Sequence, residues 1–145
     1  MTVRDYIKSI EITDFSIEKC RKKIERLENL AENRSSMRYD NDRIQSSKSK
    51  DRIGDLAVII ASERDKLSAL EEKNEKKLDY LEEQIDKIDN LDFRKILYYR
   101  HLEKMRYEDI ADILDASPQT IQNKHSKAMK EFVKVFIIPK VEESK

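Results

Sequence analysis

Little in this chain bends, cross-links or interrupts a helix: glycine occurs once, proline twice, cysteine once and tryptophan not at all. One glycine cannot build a phosphate-cradling loop, which excludes the common nucleotide-binding motifs. The lone Cys20 excludes a disulfide framework within the chain and argues against a thiolate metal site, so no metal and no cofactor is expected. It also fits a reducing, cytoplasmic compartment. No apolar run approaches the ~20 residues of a membrane span. The cluster Phe136-Ile137-Ile138-Pro139 is far too short, and no basic-then-apolar leader opens the sequence. Formal net charge is zero, which excludes a generic polyanion binder and confines any attraction to nucleic acid to a local patch. His101 and His125 are the only histidines; packing roles are expected for both, His101 near Tyr98 and Tyr99. The acid pairs Glu71-Glu72 and Glu82-Glu83 have partners four residues on in Lys76 and Lys87, the pattern of a solvated helix face. An enzyme is therefore not expected.

What is present is charge and periodicity. Charged residues make up 41% of the chain and hydrophobic ones 38%, a composition that favours long exposed helices and coiled coils. Between residues 3 and 33, Tyr6, Ile10, Thr13, Ile17, Cys20, Ile24, Leu27 and Ala31 recur in steps of four and three, one seam of a long helix. Asn33 to Lys50 is rich in Ser, Asn and Asp and reads as a polar loop, about residues 34–50. Arg34, Arg38, Arg43, Lys48, Lys50 and Arg52 make it locally basic, either as a hairpin connection or as a second contact to DNA or protein. A second long helix is predicted from about Asp51 to Asn90, with a seam of Ile53, Leu56, Ile60, Glu63, Leu67, Leu70, Asn74, Leu78, Leu81, Ile85 and Ile88. Two steps of four meet at Asn74, a stutter that locally unwinds a supercoil. Asn74 either fixes register or faces solvent where pairing ends. The expected fold is all-α: a long N-terminal antiparallel helical hairpin (a coiled coil) over residues 1–90, a three-helix helix-turn-helix head over 91–138, and a flexible tail over 139–145. Asp92 is a candidate cap for the head's first helix, whose apolar face is Phe93, Ile96, Leu97 and Leu102. Two helices alone have a thin core, so the hairpin is expected to form a homodimer or to meet a partner.

Residues 107–130 carry the functional signal. Ile110, Ala111 and Leu114 share one face of a short helix, and Asp115-Ala116 makes a turn. Ser117 can cap the next helix, and Pro118 suits its first position. Ile121, His125, Ala128 and Phe132 then face inward. Two short helices joined by a tight turn present a helix end to the DNA major groove. Ser117, Gln119, Thr120, Gln122 and Asn123 are the candidate base readers, because the start of a recognition helix reaches deepest. Asn and Gln pair with adenine, and Thr can touch a thymine methyl. Lys124, Lys127 and Lys130 are the candidate phosphate contacts, with Ser126 on the same outward face.

The stretch ILYYRHLEKMRYEDIADILDASPQTIQNKHSKAMKEF resembles region 4 of the sigma-70 family. Arg100, Leu102, Glu103, Tyr107, Glu108, Ile110, Ala111, Ser117, Thr120, Ile121 and Ala128 fall where that pattern expects them. Over nearly the whole chain the layout is similar to phage and prophage regulators of the ArpU and RinA late-gene type, through the hairpin, the loop Asp42-Arg43-Ile44-Gln45-Ser46-Ser47, the segment Ser49-Lys50-Asp51, and His125 with Ala128. Two positions depart from the region 4 pattern, which has glycine where this chain has Lys104 and Asp115. Asp tolerates left-handed backbone; Lys104 implies a longer or differently shaped turn. The resemblance implies a sequence-specific, double-stranded DNA-binding transcriptional regulator of phage type, with a contact to RNA polymerase left open. Two alternatives stand beside it: a DNA-packaging recognition subunit like a phage small terminase, and an RNA polymerase adaptor that never reads DNA.

Overall fold

The computed structural model describes the backbone of residues 2–40 and 46–139 and the side chains of residues 2–33 and 54–139. Among these the chain is all-helical: α1 spans Val3–Asp40, α2 Ser46–Ile85, α3 Leu91–Leu97, α4 Tyr107–Leu114 and α5 Pro118–Val135, with a π-helical turn at Tyr98–Leu102 between α3 and α4. By compactness it divides into two units, Ile12–Asn74 and Met1–Glu11 together with Glu75–Lys145.

In the unit Ile12–Asn74, α1 and α2 pair antiparallel through the seams that the periodicity marks. Thr13, Ile17, Cys20 and Ile24 are buried on α1, and Leu56, Ile60, Glu63 and Asn74 on α2. The cross-helix bonds fix the direction. Asn74 Nδ2 donates to Asp14 Oδ1 at 2.7 Å, and the Cys20 thiol donates to the Glu63 carbonyl oxygen at 3.3 Å. Arg21 pairs with Glu71 and Arg64 with Glu28. Buried Glu63 keeps its charge between Lys23 at 3.4 Å and Lys66 at 3.6 Å. Asn74 therefore does not face solvent. It is a register pin, since sliding either helix would strand a buried amide.

The second unit has two small cores. Val3, Tyr6, Ile7 and Ile10 of α1 meet Leu81, Ile85 and Ile88 from the end of α2, together with Leu97, Ala128, Met129 and Phe132. Tyr6, Tyr80, Phe132 and Phe136 form an aromatic cluster with centroids 5.4–6.0 Å apart. The chain leaving α5 is held here as well: the Ile137 N–H donates to Gln84 Oε1 at 2.9 Å, and the Tyr80 hydroxyl donates to the Ile137 carbonyl. The second core is Ile96, Ile110, Ala111 and Ile121. Ile96 and Leu97 are consecutive and both fully buried, so α3 supplies one residue to each core.

Three expectations need correcting. The polar loop about 34–50 is largely helix: α1 continues to Asp40 and α2 begins at Ser46. Without Gly or Pro, a run of Arg, Ser, Met and Asn costs only a few tenths of a kcal/mol per residue relative to strong helix formers, too little to stop a helix already propagating. Residues 41–45, the basic side chains from Arg34 to Arg52, and the tail from 140 onward lie outside the described residues. The second helix ends at Ile85 rather than Asn90, although Ile88 stays buried in the following turn. Asn90, not Asp92, caps α3, its side chain accepting from the Phe93 N–H at 3.2 Å. Asp92 lies in the first turn, where a carboxylate suits the helix dipole.

Candidate nucleic-acid interface

The helix-turn-helix forms as its residues dictate. α4 starts at Tyr107 with Glu108 and Asp109 in its first turn, favourable charges for a helix N-terminus. It ends where Asp115 turns left-handed, φ 54°, which lets the Ala116 N–H return to the Ala111 carbonyl at 3.0 Å. Ser117 then caps α5: its hydroxyl accepts from the Thr120 N–H at 3.1 Å, and Pro118 opens the helix. Ala111, 2% exposed, gives α4 and α5 the close crossing that a larger side chain would deny.

α5 has two distinct faces. Ile121, Ala128, Met129 and Phe132 are buried. Ser117, Gln119, Thr120, Gln122, Asn123, Ser126, Lys127 and Lys130 are all exposed. Every candidate base reader thus lies in solvent, and two pairs are already bonded to each other. Gln119 Nε2 donates to Asn123 Oδ1 at 3.2 Å, and the Ser117 and Thr120 hydroxyls lie 2.8 Å apart. Such bonds hold the side chains in defined rotamers on the exposed face of α5. Lys124 differs from the other lysines. It is half-buried, with its ammonium 3.6 Å from the Asp92 carboxylate on α3.

The π-helical turn sets the head's other edge. Its wide pitch, with the Glu103 N–H reaching the Tyr98 carbonyl at 3.1 Å, rotates His101 toward α5. His101 Nε2 lies 2.9 Å from His125 Nε2, so one ring donates and the other accepts. Tyr107 Oη is 3.5 Å from His125 Nδ1. Burial, then His125 and Arg100, lowers the pKa of His101 to about 4. Burial, then Arg100 and Arg4, lowers that of His125. Both rings are therefore neutral at pH 7. Arg100 stacks on the Tyr107 ring, 4.2 Å from its centroid, and donates to the Met105 carbonyl at 3.0 Å. Beside the histidines an open cleft of about 250 Å³ is lined by Arg4, Ile7, Lys8 and Glu11 of α1, by His101, and by His125, Ser126 and Met129 of α5.

Residues 92–132 match the family model for sigma-70, region 4. Over these residues the head is similar to sigma-70 region 4 and has its helix-turn-helix layout, α4, a left-handed turn and α5. The match covers less than a third of the chain, and no curated protein and no solved structure matches it. Within the region-4-like domain, the two positions that depart from the family's glycines are the two non-glycine residues with positive φ, Lys104 at 56° and Asp115 at 54°. The backbone keeps the left-handed geometry at both while the sequence does not supply the residue that adopts it freely. The turn at Lys104 is also differently shaped, since the preceding turn is π-helical and the Met105 N–H reaches back to the Tyr99 carbonyl at 3.0 Å.

Sequence reasoning missed three features of this surface. Met129 is buried beside Ala128. His101 meets His125 rather than packing only with Tyr98 and Tyr99, because a π turn shifts every side chain after it and no residue pattern announces one. Arg4 and Lys8 line the same cleft as His125, Ser126 and Met129 of α5. A basic pair four residues apart looks like any solvated helix face until the helix is placed.

Proposed function

We propose that this chain is a sequence-specific, double-stranded DNA-binding transcriptional regulator of phage type, with α5 as its recognition helix. The carrying observation is the division of α5 into a buried apolar face and a continuous exposed stripe of Ser, Gln, Thr, Asn and Lys, opened by a Ser117 cap. The start of the helix enters the major groove, where Gln119, Gln122 and Asn123 read base edges and Ser117 and Thr120 assist; Lys127 and Lys130 meet flanking phosphates. The reading is of a binding protein without catalytic chemistry or a cofactor. The hairpin holds two copies together, and exposed Ile12, Phe15, Val58 and Ile59 supply apolar area beyond the seam that α1 and α2 already close. The operator then contains two half-sites. A contact with RNA polymerase belongs to this reading as a separate surface of the head.

The test is selection from a randomised duplex pool with the full chain at near-physiological salt, followed by sequencing. An enriched motif with two half-sites at fixed spacing is the expected result. Recovery without an enriched motif overturns base reading. Solution mass decides the assembly: a dimer supports the regulator, and a ring of many copies favours the DNA-packaging alternative.

A further inference from the structure

We propose that the cleft between the start of α1 and the middle of α5 is a second DNA contact, a seat for one backbone phosphate group and its neighbour, with Arg4 and Lys8 as its cations. The proposal rests on the recognition-helix reading above, and its residues on α1 lie outside the region-4-like segment 92–132.

Placement is the first argument. Ser126 belongs both to the exposed stripe of α5 and to the cleft wall. It follows the Ser117 cap by nine residues, about 14 Å along the helix at ~1.5 Å per residue. The major groove is ~12 Å wide. With the cap end of α5 in the groove, the cleft falls where the helix passes the sugar-phosphate backbone. The second argument is charge. Arg4 and Lys8 are exposed, sit one turn apart on α1, and form no ion pair among the described residues. Neutral His101 and His125 and the Ser126 hydroxyl add uncharged polar groups, which suit an anion without a second acid to repel it. Glu11 is the one carboxylate of the lining. Asp5, next to Arg4, accepts from the Thr2 N–H at 3.0 Å while Thr2 Oγ1 accepts from the Asp5 N–H at 3.1 Å. That reciprocal cap engages the Asp5 carboxylate and fixes the first turn of α1, so Arg4 and Lys8 are pre-positioned. Val3, Tyr6, Ile7 and Ile10 anchor the same turns in the core.

The experiment uses the full chain and a short mixed-sequence duplex, with affinity measured across a salt series. The variant R4Q/K8Q is expected to bind every sequence roughly tenfold more weakly and to lower the salt slope by about two units, one for each phosphate charge no longer neutralised. R4K/K8R is expected to keep the parent's slope, and E11Q to bind more tightly than the parent. All three positions are exposed, and an unchanged melting midpoint confirms that each variant folds. If R4Q/K8Q keeps the parent's slope, the cleft is not a phosphate seat; a Lys127→Ala slope lower than the parent's then leaves the recognition-helix reading standing. If the parent binds no duplex at all, both readings fall together.

Discussion

At the residue scale, the outward side chains of α5 are not equivalent. Gln119 and Asn123 are bonded to each other, so Gln119→Ala releases Asn123 as well as removing its own contacts. The expected outcome is relaxed preference at one or two neighbouring base pairs, about 1–3 kcal/mol of discrimination, with the salt slope unchanged. Lys127→Ala should weaken all sequences alike and lower the slope by about one unit. Lys124→Ala should lower it by less, because Asp92 already neutralises that ammonium. Equal slopes for the two lysine variants in the same titration would contradict that ordering. The left-handed residues give a second measurement. Lys104→Gly relieves a conformation that costs a residue with a side chain about 1 kcal/mol, and chemical denaturation should show a gain of that order. Asp115→Gly should gain less, since Asp enters this region more readily. The sequence marked both sites as departures from glycine. It could not say whether the backbone had changed to suit the residue or had kept its shape under strain.

At the element scale, the π turn and α5 are joined through a pair of rings that must stay neutral to fit. His101 has a pKa of about 4 in the folded chain, against an ordinary 6.5. Between those values the unfolded chain binds a proton that the folded chain excludes, so stability is full above pH 6.5 and falls as pH drops toward 4. Thermal or urea unfolding across that range should show a loss on the order of 2–3 kcal/mol from this residue. His101→Gln, which cannot take up the proton, should flatten the profile relative to the parent. Superimposable profiles for the two would show that the pair does not carry the dependence. Most elements were legible because their signals are local. The cap-proline start of α5 and the heptad steps of α1 and α2 need only neighbours in sequence. The π turn was not legible, nor was the helix through 34–40, where polarity resembled a loop but nothing broke the hydrogen-bond ladder.

At the scale of the whole molecule, the head does not own its core. Val3, Tyr6, Ile7, Ile10, Leu81, Ile85 and Ile88 pack with Leu97, Ala128, Met129 and Phe132. A fragment of residues 91–145 loses the first seven of these and exposes the rest. It should show weak helicity and no cooperative thermal transition by circular dichroism, whereas the full chain melts cooperatively. A fragment that melts sharply with full helicity would show that the small core of Ile96, Ile110, Ala111 and Ile121 suffices. Within the full chain, Leu81→Ala, at a fully buried site far from α5 in sequence, should cost about 3–5 kcal/mol and weaken DNA binding only through unfolding. The expected boundary at residue 90 follows the motif; compactness instead gathers residues 1–11 and 75–145.

The sequence by itself determined an all-helical chain, because scarce Gly and Pro and sustained apolar periodicity leave no other way to satisfy the backbone. It also determined which face of α5 is polar, since that follows from 3.6-residue spacing alone. Only tertiary structure decided what covers the opposite face, which acid neutralises Lys124, and which distant cations stand beside Ser126. Those depend on contacts between residues tens of positions apart, and local periodicity carries no information about which helix face meets which.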